Sequence, residues 1–171
     1  RSRHVGAKEV ATIVHGAGIG GLSVEGAAQA VVEGSLLALY KYDAPKTINK
    51  GDENEVETLT LLEFDAMKID DIEEGAADGQ ATAEGVSLAR TLVNQPSNVA
   101  TPTAIANAAV KMSRSVGIKA TAHDEKWMRE QKMEVALAVT QGSREQAKFI
   151  VMEHKPQGAK NRKPIVLVGK G

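Results

Sequence analysis

The sequence predicts an α/β chain assembled in two parts. Three observations carry this reading. Short apolar runs rich in β-branched residues alternate with helical stretches in both halves. A long, polar, glycine-bearing helical stretch lies between the halves. A turn rich in Pro and Asn then leads into a strong helix start, after which the alternation resumes.

Glu9 to Val14 (EVATIV) reads as a buried strand, and the glycine-rich turn His15 to Gly21 follows it. From Ser23 to about Tyr42 apolar residues recur at helical spacing (Val24, Ala27, Val31, Leu39), and the Ser23 hydroxyl can accept from a free first-turn amide. Asp43 to Asn54 holds Pro45 and Gly51 and reads as a surface loop; Glu57 to Asp65 (ETLTLLEFD) reads as the next strand. Strand, helix, strand is the crossover unit of a parallel or mixed sheet.

From Ile69 to Asn94 the pattern is helical, polar and long. Gly75, Gly79 and Gly85 each weaken such a helix by roughly 1 kcal/mol relative to Ala, so it must be held by packing or must separate two lobes. It is assigned as a linker. Asn94 to Pro102 (NQPSNVATP) is a turn; Thr101 stands at the N-cap and Pro102 at the first helical position, where a missing N–H has no consequence. That helix is expected to run to about Val116 and stop at Gly117. Ile118 to Ala122 reads as a strand, and Asp124 caps a short helix through Met128. Met133 to Val139 fits helix or strand. Lys148 to His154 and Pro164 to Val168 read as strands joined by a basic loop.

Composition narrows the function classes. The 21 basic and 22 acidic side chains nearly cancel, so nothing calls for nucleic acid or an anionic membrane as partner. With no cysteine, neither a disulfide framework nor a thiolate metal site is available. No apolar stretch approaches the roughly 20 residues that cross a bilayer. One Trp, two Tyr and two Phe leave Ala, Val, Leu and Ile to fill the interior.

Five local features invite a chemical reading, and each has a simpler one. Gly16 to Gly21 is a formal GxGxxG between strand and helix, with Asp43 further on; the dinucleotide fingerprint, however, places its acid after a second strand, and here it follows a helix. The simpler reading is a glycine turn that lets the helix pack closely on the sheet. Val166 to Gly171 (VLVGKG) puts Lys170 at a strand end, but Pro164 and Gly171 stand where a phosphate-binding loop needs Gly and Ser or Thr. His4, His15, His123 and His154 show no paired metal-ligand spacing. The basic loop Lys155, Lys160, Arg162 and Lys163 lacks an aromatic platform for bases. The acidic groups at Asp52, Glu53, Glu55 and Glu57, and at Asp70, Asp71, Glu73 and Glu74, read as solvated or as partners of a helix dipole.

The order of the pieces says more than any one of them. His15 to Glu25 (HGAGIGGLSVE), Leu88 to Ala106 (LARTLVNQPSNVATPTAIA) and Pro164 to Gly171 (PIVLVGKG) together resemble the leucine aminopeptidase family, and AVTQGS at Ala138 to Ser143 and FIVMEH at Phe149 to His154 fit as well. The resemblance implies a binuclear metallopeptidase that removes N-terminal residues, preferentially Leu, from peptides. It implies the C-terminal part of a macro-like N-terminal domain over 1–70, a linker helix over 71–94, and the first part of a mixed-sheet catalytic domain over 95–171.

The same resemblance implies two divalent ions (Zn or Mn), a homo-hexamer and a cytoplasmic location. In the family the lysine of the Gly-Lys-Gly turn is a metal ligand, which here is Lys170. An amine of ordinary lysine pKa needs about 4.6 kcal/mol to be neutral at pH 7, which a nearby dication can supply. The family's remaining ligands and its catalytic lysine and arginine follow that turn, so residues 1–171 alone are expected to be inactive. Two other readings stay open: a macro-like module binding ADP-ribose or a nucleotide, and a catalytically dead homologue.

Overall fold

The computed structural model describes residues 2–43, 55–158 and 163–170. The chain divides into two compact units, Arg1–Asn94 and Gln95–Gly171. Within each, α-helix and β-strand are mixed as the sequence predicts.

In the first unit, β1 (Glu9–Ile13) leads into α1 (Val24–Leu39), β2 (Thr58–Leu62) and α2 (Ile69–Asn94). β1 and β2 pair in parallel, from Glu9 opposite Thr58 to Ile13 opposite Leu62, which confirms the crossover. Ser23 caps α1 as expected, its hydroxyl accepting from the Gly26 amide at 3.0 Å. Val14, Ala27, Ala28 and Ile72 form the core, with Ala17, Val24 and Leu61 against it. Ala27 and Ala28 are small side chains, so the helices come close.

How close is set by two glycines of α2. A Cβ at Gly75 would stand 2.1 Å from the Glu25 carbonyl oxygen of α1, and one at Gly79 would stand 2.6 Å from that of Gln29. Nothing lies within 4 Å of a Cβ at Gly85. Two of the three glycines are therefore in α2 because α1 leaves no room for a methyl group. The tight helix approach is here, between α1 and α2; around the turn glycines Gly18, Gly20 and Gly21 space is open.

α1 ends at Leu39, earlier than the apolar spacing suggests. Tyr40 turns extended, with ψ 136°. Arg3 donates to the Leu39 carbonyl and Arg90 to the Leu37 carbonyl, so side chains distant in sequence satisfy the free carbonyls of the last turn.

In the second unit, α3 (Pro102–Val116) is followed by β3 (Lys119–His123), α4 (Glu125–Glu130), α5 (Glu134–Thr140) and β4 (Phe149–Glu153). Thr101 caps α3 through the Ala104 amide at 3.2 Å, Pro102 opens it, and Gly117 ends it with φ 73°. Asp124 caps α4 through the Trp127 amide at 2.9 Å. β3 and β4 pair antiparallel, Lys119 opposite Glu153 and His123 opposite Phe149.

The ambiguous stretch is helix α5. A strand would have placed Val135, Leu137 and Val139 on one face; instead Leu137 is buried with Met128 and Ala147, Met133 packs alongside, and Val135 and Val139 are exposed. Met133 and Leu137, four apart, share the face that the core accepts.

One expected element is not formed. Pro164 to Val168 is in no strand, and Ile165, Val166, Leu167 and Val168 are 72–93% exposed. β-Branched composition marks a segment that fits a pleated surface; it does not supply the neighbouring backbone that makes a strand. Among the described residues each sheet has two strands, and neither extends to this segment.

Candidate metal-ligand site

Lys170 follows the exposed apolar segment and is itself exposed; Gly171 lies outside the described residues. No group of three His, Asp or Glu side chains able to hold a metal occurs among the described residues. A lone flexible amine cannot chelate two ions, so the described side chains do not by themselves fit a two-metal centre. They contain one candidate donor, at the end of an exposed segment.

The glycine turn is built differently from a phosphate cradle. Gly16, Gly18, Gly20 and Gly21 all have φ between 64° and 82°, which explains their identity. The amides of Gly18, Ile19 and Leu22 are used within the turn, donating to the carbonyls of Leu22, Gly16 and Ile19. Ser23 occupies the helix start. His15 meets Thr12 through Nε2 and Oγ1 at 3.1 Å, a local contact on an exposed surface. The fingerprint residues thus spend their polar groups on folding the turn. Asp43 pairs with Lys41 at 3.4 Å.

The remaining candidates scatter. His123 ends β3 and stacks on Trp127, ring centroids 3.8 Å apart; the cap is Asp124, not His123. Trp127 in turn lies 5.7 Å from Phe149. This aromatic cluster left no trace in local sequence, because β4 supplies its third member from 22 residues beyond Trp127. His154 is exposed beyond β4. The side chain of His4, together with Lys160, Arg162, Asp52 and Glu53, lies outside the described residues.

The described charges serve structure. Glu153 accepts from Lys119 at 2.8 Å and pairs with Lys155 at 3.4 Å, holding β4 to β3 and anchoring the first residue of the basic loop. Lys8 pairs with Glu57 at 2.9 Å, where the chain enters β1 and β2. Asp70, Asp71, Glu73 and Glu74 are exposed on the first turns of α2, where they complement the helix dipole.

With the geometry in view, comparison with known proteins assigns the lineage. Residues 87–171 match the cytosol aminopeptidase family, catalytic domain. A probable cytosol aminopeptidase of Desulfovibrio desulfuricans is 38% identical over 138 residues, covering 80% of this chain and 27% of the relative. One from Alkaliphilus oremlandii is 37% identical over 152 residues, covering 88% and 30%.

The chain belongs to the cytosol aminopeptidase family. It spans under a third of the length of the curated family members it matches. Among solved structures, a tomato leucine aminopeptidase mutant superposes with TM-score 0.74 at 26% identity, covering 87% of this chain and 30% of that one. The bottromycin maturation enzyme BotP, in complex with Mn, gives 0.73 at 24% identity, covering 88% and 30%, and supports the fold.

Proposed function

We propose that the complete protein is a metal-dependent aminopeptidase that releases N-terminal residues, preferentially leucine, from peptides, using water activated by two divalent ions. The observation that carries this is the match to the family's catalytic domain over 87–171, running through the Gly169-Lys170-Gly171 turn. A divalent metal is further supported by the manganese in the BotP complex. Manganese and zinc both suit such chemistry, as Lewis acids and as generators of hydroxide near neutral pH.

Within this reading Lys170 is one metal ligand, binding as the neutral amine, and the other ligands come from elsewhere in the complete protein. Residues 1–171 alone are then inactive. The test is Lys170→Ala in the full-length protein, assayed for Leu-amide hydrolysis and for bound metal after dialysis. Both should fall steeply. Unchanged turnover with full metal content removes Lys170 from the site.

The same reading makes the protein a cytoplasmic homo-hexamer, checked by light scattering on the full-length chain and by fractionation. Among the described residues no helix is long and apolar enough to cross a membrane. The nucleotide-binding alternative finds little support, since three amides of the glycine turn bond within it. Calorimetry with ADP-ribose tests it directly.

A further inference from the structure

The match to the catalytic domain begins at residue 87, inside α2. In space, however, residues 87–94 belong to the first unit. They lie beyond the fully buried residues of α2, with Leu92 half-buried. The last buried residue of α2 is Ala83, the close approach to α1 ends at Gly79, and Gly85 faces open space. Val93 is 83% exposed.

A polar chain ties them to the end of α1. Thr91 Oγ1 donates to the Ser87 carbonyl at 2.8 Å, which leaves its oxygen to accept from the Tyr40 hydroxyl at 3.2 Å. The Tyr40 oxygen in turn accepts from Asn94 Nδ2 at 3.2 Å. The direction is fixed throughout: Asn94 to Tyr40 to Thr91 to Ser87. Such a relay strengthens each member by polarising the next. The Arg90 guanidinium lies 5.6 Å over the Tyr40 ring and reaches the Leu37 carbonyl at 3.3 Å. Tyr40, one residue past α1, therefore meets three of the last five residues of α2.

We propose that Tyr40, Arg90, Thr91 and Asn94 form a latch. It fixes the first residues of the catalytic-domain sequence to the end of α1, and they open and close as a local unit governed by the Tyr40 hydroxyl.

Native-state hydrogen exchange on the whole chain tests this, with Tyr40→Phe as the principal variant. Phenylalanine keeps the ring beneath Arg90 and removes both hydroxyl bonds. Loss of one such bond is worth about a fivefold rise in opening. Amides of 87–94 should therefore exchange about five- to twenty-five-fold faster, with those of 70–83 unchanged. Asn94→Ala, on an exposed position, should raise exchange in the same segment by a smaller factor. Unchanged exchange at 87–94 in both variants overturns the latch. So does an equal rise along all of α2, which would mean general loss of stability.

Discussion

Adding one methyl group to α2 should have opposite effects at two positions nearly three turns apart. At Gly85 the methyl meets open space, and Ala is favoured over Gly in a helix by about 0.5–1 kcal/mol. Gly85→Ala should stabilise by that amount. At Gly75 the same methyl would stand 2.1 Å from the Glu25 oxygen, 2.8 Å from its carbonyl carbon and 3.0 Å from its Cα.

All three atoms at Gly75 are backbone, so no rotamer change relieves the clash, and α1 and α2 must separate. Overpacking of this kind costs about 1–3 kcal/mol, which outweighs the propensity gain. Across Arg1–Asn94, the net loss should lower the first unit's midpoint by roughly 10 °C, at about 4–8 °C per kcal/mol. Thermal melts followed by far-UV circular dichroism read both variants. If Gly75→Ala melts at or above the parent temperature, α1 and α2 are not in backbone contact and the two glycines have no packing role.

Other outcomes follow from the caps and charges. Thr101→Ala removes the acceptor for the Ala104 amide and should destabilise the second unit by about 1 kcal/mol, seen in urea unfolding; no change would mean that Pro102 alone sets the helix start. Accepting the Trp127 amide holds the Asp124 carboxyl below the usual carboxylate range. A depressed carboxylate stabilises above its unfolded pKa and loses that contribution as pH falls through its folded pKa. Asp124→Asn should accordingly flatten the acid limb of stability for the second unit, and an acid limb identical to the parent's would contradict this.

Lys119 is raised by Glu153, and Glu153 is lowered chiefly by Lys119. Their pairing should contribute between the two titrations. It should be lost in acid as Glu153 protonates and in strong base as Lys119 releases its proton. A Lys119→Met variant whose stability profile keeps the same shape at both ends would show that this exposed pair contributes nothing.

Local signals are legible in the residues themselves. Ser23, Thr101 with Pro102, Gly117 and Asp124 act within one helical turn of where they stand, so the sequence contains both partners of each contact. The parallel pairing of β1 with β2 follows from strand, helix and strand in order. The lineage is legible for a different reason: the N-x-P-x-N-x-x-T-P turn and the Gly169-Lys170 pair keep their order along the chain. Tertiary structure decides whatever depends on a distant neighbour. Gly75 and Gly79 read as weaknesses of α2 when that helix is taken alone, and become necessary once α1 lies against them. Met133 to Val139 is helix because Met128 and Ala147 accept Leu137. Ile165 to Val168 has strand composition and no strand, since pairing requires a second backbone that no residue can encode alone.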